Sequence, residues 1–240
     1  MRFGQKAMLL GMASLWVLPA WGGGNHVAAK QDKETWKVDT AHSNISFSIK
    51  HLGMTEVSGS FSRITGTMSL NLKNINKSKV NISIPTAALS TNNEKRDQHL
   101  RNPDFFNVEK YPTITFKSTE VTQLKPGDKQ SPGGNEFNVC GILEIRGVQK
   151  KECFVGQLLG PVINPMTGAH VRTFKTIKPD SISRKAYGIG VKFPDRAGES
   201  FSEKMLSFAT KAASTLIGDK VDFKINVALI KQQDSAKKKG

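Results

Sequence analysis

The sequence lacks the short motifs on which many enzyme classes depend. It contains no G-x-S-x-G nucleophile elbow, no phosphate-binding P-loop, no dinucleotide fingerprint and no haem-attachment motif. Its two cysteines, Cys140 and Cys153, are too far apart in the chain for a redox C-x-x-C motif. Serines are abundant, but none lies in a context that would activate it as a nucleophile. These absences favour a binding protein over an enzyme without excluding catalysis.

Acidic residues are scarce as well. The 240 residues include 20 Asp and Glu against 35 Lys and Arg, which gives a formal net charge of +15. This balance favours anionic partners, although a solvated basic surface explains the charge equally well. Aromatic residues make up 8% of the chain and do not alternate with basic ones, as a nucleic-acid stacking surface requires. We therefore predict no nucleic-acid partner, and a disordered basic tail over residues 232–240.

Long apolar runs are limited to one, over residues 7–20, which follows Arg2 and Lys6. This run is too short for a membrane span and is typical of a secretory signal peptide. We predict a signal peptide over residues 1–22, with cleavage after its last residue or as late as Ala29. Export to the bacterial periplasm would follow. An uncleaved amino-terminal anchor is the alternative.

Apolar and polar residues alternate along most of the remaining chain, as at Ile45 and Phe47. Many such period-two stretches, separated by turns, predict an all-β antiparallel fold. A sandwich and a closed barrel both satisfy this pattern, and a barrel of about eight strands can enclose one small ligand. Two helices interrupt the strands. One is capped by Asn93 and ends at Pro103, and the other spans Glu199–Ile217.

Several separate motifs resemble the YceI-like family of polyisoprenoid-binding proteins. They are, in chain order, VDTAHSNISFSIKHLG (38–53), RDQHL (96–100), DFF (104–106), EKYPTITFKS (109–118), GILEIRGVQK (141–150) and GDKVDFKINV (218–227). The resemblance implies an extended, lipocalin-like antiparallel β-barrel over residues 36–231, capped or flanked by one or two helices. It also implies an apolar interior that takes up a long lipid tail, and it favours the barrel over the sandwich.

A lipid tail needs an apolar tunnel, because each buried CH₂ contributes roughly 0.8 kcal/mol. Large apolar residues on the inward strand faces are the predicted lining: Phe47, Ile49, Phe61, Met68, Leu70, Ile82, Phe116, Leu143, Ile189, Phe223 and Ile225. The same residues would equally form a filled core, which periodicity cannot distinguish from a hollow one. Polar residues in or near the family-like segments are the candidates for a headgroup-binding mouth: Asp39, His42, His51, Arg96, His99 and Arg184.

The two cysteines lie almost symmetrically about a predicted turn at Arg146-Gly147. In a hairpin centred there they would face each other, so an oxidising compartment permits a disulfide, and two buried free thiols are the alternative. The histidines match no zinc-ligand spacing, so we predict no metal and no cofactor other than the bound lipid.

The main functional hypothesis is a secreted, non-catalytic protein that carries or sequesters a polyisoprenoid or a similar amphiphile. Quinones, polyprenyl lipids and fatty acid derivatives are the candidate ligands. One alternative is an enzyme that acts on a bound quinone or lipid through His42, His51 or His99. Another is an electron-transfer accessory that presents a quinone to a membrane cytochrome, for which the positive charge would suit docking at anionic headgroups. An open barrel rim could also form a homodimer.

Overall fold

The computed structural model describes residues 32–125, 135–191 and 217–232. The predicted signal peptide, nearly all of the second predicted helix and the basic tail lie outside these residues. Within the described residues, no helix is long and apolar enough to cross a membrane.

The described chain forms twelve β-strands and one α-helix. The strands are β1 (Lys33–Val38), β2 (Asn44–His51), β3 (Thr55–Phe61), β4 (Thr65–Asn71), β5 (Lys79–Pro85), β6 (Leu89–Ser90), β7 (Thr113–Gln123), β8 (Glu136–Ile145), β9 (Val148–Ile163), β10 (His170–Thr176), β11 (Asp180–Ser183) and β12 (Ile217–Lys231). Helix α1 (Glu94–Arg101) lies between β6 and β7. All strand pairs are antiparallel.

Eight of the strands close into a barrel, in the order β1-β4-β5-β7-β8-β9-β10-β12 and back to β1. The last strand completes the ring, because Trp36 of β1 pairs with Lys231 of β12. The amino-terminal half of β12 leaves the ring and pairs with β2, which continues the sheet through β3 to β6. Strand β11 also pairs with this half of β12. The predicted all-β barrel is confirmed.

Packing differs between the two ends of the barrel. At one end, Trp36, Met68, Leu70 and Val80 belong to a buried core. Met68, Leu70 and Val80 border a void of only about 20 Å³. At the other end, where β8 turns into β9, the inward side chains enclose a much larger cavity. The part of the barrel near β4 is therefore filled, and the opposite part is hollow.

Helix α1 covers the hollow end and is held at its first turn. The Asn93 side chain accepts a hydrogen bond from the Arg96 N–H at 3.0 Å, as predicted for the helix cap. Asp97 is buried and accepts from both the N–H and the hydroxyl of Thr91, at 2.8 and 2.5 Å. The helix ends at Arg101, two residues before Pro103, because a residue preceding proline is disfavoured in helical geometry.

The β8–β9 hairpin brings the two cysteines into direct register. Cys140 pairs with Cys153, and their sulfur atoms are bonded at 2.04 Å. The turn between the strands is Arg146-Gly147, where both residues have positive φ angles, 54° and 74°. Such angles match the two-residue turn that suits the strand twist of a hairpin.

Substitution of Asp97 by Ala should destabilise the fold by about 2 kcal/mol, because two Thr91 donors would lose their buried acceptor. Chemical denaturation would measure the change. Glu109→Ala, which removes an exposed carboxylate from the segment after the helix, is the matched control and should change stability by less than about 0.5 kcal/mol. Equal losses in the two variants would contradict the role assigned to Asp97.

Candidate ligand cavity

The cavity at the hollow end has a volume of about 200 Å³. Among the described residues, every lining side chain except that of Arg184 is a hydrocarbon. The lining consists of Ile45, Phe47, Ile49, Phe61, Ile82, Ile84, Leu100, Phe105, Phe106, Ile114, Phe116, Leu143, Ile145, Phe154, Ile182, Arg184, Ile189, Val221, Phe223, Ile225 and Val227. A wall without polar partners does not hold water well, so the space suits an apolar guest.

Strand register explains why these residues share one space. Phe47 lies opposite Phe223, and Ile45 lies opposite Ile225. Residues directly opposite each other in an antiparallel pair point to the same face of the sheet. Since side chains alternate along each strand, every second residue then enters the cavity.

Aromatic rings make up much of the wall. The rings of Phe116 and Phe154 are 5.2 Å apart, and those of Phe154 and Phe223 are 5.4 Å apart. On the other side, the rings of Phe47 and Phe61 are 5.6 Å apart. Glycine at position 59 leaves room for this packing, because a Cβ there would lie 2.4 Å from the Phe47 ring. The wall is therefore built of mutually supporting rings around an open centre.

The roof of the cavity is formed by α1 and the bend after it, residues 94–112. Leu100, Phe105 and Phe106 of this segment line the cavity from above. Phe106 packs edge-on against Phe61 with a centroid distance of 5.7 Å. Gly190 donates a backbone hydrogen bond of 2.9 Å to the Asp104 carbonyl, which joins the roof to the segment after β11.

Arg184 is the polar group of the wall, and its partners are backbone carbonyls. Its guanidinium donates to the carbonyls of Gly218 and Ile217 at 2.8 and 3.0 Å. It also donates to those of Ile189 and Gly190 at 2.8 and 2.9 Å. Burial lowers the pKa of this guanidinium below its ordinary value, while the nearby Asp219 carboxylate opposes the shift. The group stays charged, because an arginine pKa lies far above neutral pH.

A second arginine ties the β8–β9 turn to the roof. Arg146 donates to the Gly188 carbonyl at 2.9 Å and to the Pro103 carbonyl at 2.5 Å. The segment that carries Gly188 is anchored further by Tyr187, whose buried hydroxyl donates to the Glu152 carboxylate at 2.9 Å. Burial, and then this hydrogen bond, raise the pKa of the Tyr187 hydroxyl well above its ordinary value. Three separate chain segments are thus joined at the roof.

The predicted lining residues are largely found together. Nine of the eleven line the cavity: Phe47, Ile49, Phe61, Ile82, Phe116, Leu143, Ile189, Phe223 and Ile225. Met68 and Leu70 do not, and they surround the small void at the filled end instead. Met68 and Leu70 lie in the carboxyl-terminal half of β4, and this half of the strand belongs to the filled end of the barrel. Whether any of the nine contacts a ligand stays a prediction.

The six predicted mouth residues are not brought together. Of these six, all of which are described, Arg184 lines the cavity and the other five do not. Asp39 and His42 form a pair at 2.8 Å in the β1–β2 loop. This hydrogen bond to His42 holds the pKa of the Asp39 carboxyl below its ordinary value. The pair therefore acts within its own loop, and the proposed headgroup site is not assembled around it.

The remaining mouth candidates have structural contacts of their own. Arg96 donates to the hydroxyl and the carbonyl of Thr91, both at 2.8 Å. The His99 ring packs edge-on against Phe105 with a centroid distance of 4.8 Å. His51 ends β2, where it pairs with Thr55 and Ile217. In the described part of the chain, no group of three or more His, Cys, Asp or Glu residues is arranged to hold a metal ion.

Several lining residues were not predicted. Ile45, Ile84, Ile114 and Ile145 continue the same alternation as their predicted neighbours, so the signal was present. Phe105 and Phe106 also line the cavity, and nothing in the sequence indicates that this apolar bend lies over open space. Val221 likewise continues the alternation of Phe223 and Ile225 in β12. Ile182 had no such signal, because β11 is short and its register on β12 is a tertiary feature.

The sequence of this chain was compared with protein families and with proteins of known sequence. A family model described as YceI-like domain matches residues 36–229. The Escherichia coli O157:H7 protein YceI is 35% identical over 165 residues, which cover 68% of this chain and 78% of that protein. A UPF0312 protein of Pectobacterium atrosepticum is 35% identical over 160 residues, which cover 67% of this chain and 76% of that protein.

Solved structures share the fold at lower identity. Burkholderia cenocepacia BcnA superposes with a TM-score of 0.61 at 19% identity, over 80% of this chain and 98% of that one. A polyisoprenoid binding domain from Saccharophagus degradans gives a TM-score of 0.54 at 12% identity, over 82% of this chain and 98% of that one. These likenesses concern the barrel fold.

Replacement of Arg184 by Ala should destabilise the protein by about 3 kcal/mol or more, because four carbonyls would lose a charged donor. Arg184→Lys should recover only part of this loss, since an ammonium group lacks the planar fork. Lys185→Ala removes the exposed charge next in sequence and serves as the control. Unfolding free energies from denaturant titration would compare the three. If the two alanine variants were equally stable, Arg184 would not anchor the roof.

Proposed function

The chain belongs to the YceI-like domain family, and we propose on this basis that it binds the tail of a polyisoprenoid or a similar long-chain amphiphile in its cavity. Quinones, polyprenyl lipids and fatty acid derivatives share the required chemistry, which is a long hydrocarbon chain with a small polar head. The observation that carries the proposal is the cavity wall, where every described lining side chain but that of Arg184 is a hydrocarbon.

The cavity volume limits how much of a tail fits without movement. An engineered dry cavity of about 150 Å³ admits benzene. The cavity of about 200 Å³ in this protein would therefore accommodate the last one or two prenyl units of a tail. A longer tail would enlarge the space by displacing wall side chains. Because each buried CH₂ contributes roughly 0.8 kcal/mol, affinity should rise with tail length until the enlarged space is full.

We propose that the protein is a carrier or scavenger and not a catalyst. The histidines of the enzyme alternative, His42, His51 and His99, all lie outside the cavity wall. Arg184 does reach the wall, but its donors are directed to backbone carbonyls. A bound tail would therefore contact the wall through dispersion and the hydrophobic effect alone, which suits storage or transport.

We also propose that the protein acts in the bacterial periplasm. The apolar run over residues 7–20 after two basic residues supports export. The bond between Cys140 and Cys153 supports the same location, because disulfides persist in oxidising compartments. Amino-terminal sequencing of the protein from a periplasmic extract tests both points, and a chain that still begins at Met1 would contradict cleavage.

A cavity-filling substitution tests the binding proposal. Delipidated protein should take up geranylgeraniol, a 20-carbon polyprenyl alcohol, at near-unit stoichiometry in native mass spectrometry. Ile182→Trp places a large ring in the cavity and should weaken uptake about tenfold or more, because the ring takes space from about two CH₂ groups of the tail at roughly 0.8 kcal/mol each.

Ile177→Trp is the matched control, because Ile177 is exposed just before the same strand and does not line the cavity. It should bind the alcohol like the unmodified protein. Both variants should keep their melting temperature within a few degrees. The proposal would fail if unmodified protein took up no long-chain alcohol, or if the two tryptophan variants bound it equally.

A further inference from the structure

The β9–β10 hairpin extends past the end of β8 and exposes apolar side chains. Gln157 of β9 pairs with Glu136, the first residue of β8, so the chain beyond Gln157 has no partner in β8. We define the apolar tip as residues 159–169 (LGPVINPMTGA). Its side chains are unusually exposed for their type, at 40% for Leu159, 63% for Val162, 63% for Ile163 and 93% for Met166. Exposed apolar groups this close together typically mark an interaction surface.

The backbone of the apolar tip is largely satisfied by the tip itself. The N–H of Asn164 donates to the Ala169 carbonyl, and that of Gly168 donates to the Asn164 carbonyl, both at 2.8 Å. The Asn164 side chain accepts from the N–H groups of Met166 and Thr167 at 2.9 and 3.3 Å. Internal pairing of this kind allows a loop to leave water, because unpaired N–H groups are costly in an apolar medium.

In the described residues, the exposed charges at this end of the barrel are mostly positive. No Asp, Glu, Lys or Arg occurs between Glu152 and Arg172, in a chain with a net charge of +15. Exposed lysines lie at the same barrel end, at Lys33 where β1 begins and at Lys77 and Lys79 where β5 begins. The acids at the start of β1 are paired, Asp32 with Lys73 and Glu34 with Lys231, both at 2.6 Å. Glu136 at this end is fully buried.

From these three observations we infer that the apolar tip docks on an anionic lipid bilayer. Val162, Ile163 and Met166 would enter the boundary between headgroups and acyl chains, and the surrounding lysines would face the lipid phosphates. An apolar apex within a basic surround matches what peripheral proteins present to anionic membranes. The docking end lies opposite the roof, so docking would leave the roof of the cavity free. The inference does not depend on what the cavity binds.

A vesicle flotation assay tests the inference. The full chain should float with vesicles containing about 30% phosphatidylglycerol in phosphatidylcholine. Binding should fall on pure phosphatidylcholine and as salt is raised, because screening at 1 M shortens the electrostatic range to about 3 Å. Val162→Ser combined with Met166→Ser should weaken binding to the anionic vesicles about tenfold or more, since two exposed apolar groups no longer enter the membrane.

Leu52→Ser combined with Met54→Ser is the matched control, because it removes two exposed apolar side chains from the β2–β3 turn instead. It should bind vesicles like the unmodified protein. All three proteins share one amino terminus, so their differences report on the substituted sites. Retained melting temperatures would show that the variants are folded.

Four results would overturn the inference. They are absence of vesicle binding by the unmodified chain, equal binding by the tip and turn variants, a dimer in light scattering that the tip variant abolishes, and a large loss of melting temperature in the tip variant. The third result would show that the tip binds a second copy of the chain. The fourth result would show that the tip stabilises the fold through contacts with other parts of the same chain. Uptake of geranylgeraniol, measured separately, would be unaffected by a tip variant that keeps its melting temperature.

Discussion

The shape of this protein depends on one strand, β12, that belongs to two sheets. Its carboxyl-terminal half pairs with β1 and β10 and closes the barrel, while its amino-terminal half pairs with β2 and β11. A closed eight-stranded ring alone has an interior just wide enough to be filled by side chains. Because the sheet continues past the ring through β2 and β3, the wall widens at one end. The division of β12 between the ring and the β2–β3 sheet thus explains why one end of the barrel is filled and the other is hollow.

The hollow end would be exposed to water without its roof, and the roof depends on buried polar contacts. Arg184 and Arg146 direct their donors to backbone carbonyls of the segments they join. Most of these acceptors lie outside the strands, and two lie at the very start of β12, so a guanidinium with five donors in a fixed plane can satisfy several carbonyls at once. The polar groups near the cavity thus serve the architecture, and the cavity itself stays apolar. The arginines near the cavity therefore stabilise the fold, while apolar side chains form the surface that a ligand would contact.

Prediction from the sequence succeeded where the pattern is local. Alternation at Phe47 and Ile49 identified a strand and its buried face, and nine of the eleven predicted lining residues surround one cavity. The cap at Asn93 was predicted because capping depends on residues only three positions apart. The predicted mouth residues Asp39, His42 and Arg96 are not brought together. Asp39 and His42 pair within one loop, and Arg96 of α1 donates to Thr91 just before the helix. A short motif does not specify the direction in which a side chain points.

The sequence by itself determined the barrel strands, most of their inward faces, the position of α1 and the family, because these depend on periodicity and on short motifs. Tertiary structure decided which inward residues pack together and which enclose space. Met68 and Phe223 have equal apolar character in the sequence, yet one lies in a filled core and the other beside a cavity. The apolar tip is a similar case, since valine and isoleucine are among the residue types most often buried, yet Val162 and Ile163 are exposed. The physical reason is that a hydrophobic side chain specifies a preference for burial, while the volume available to it is set by strands that are distant in the chain.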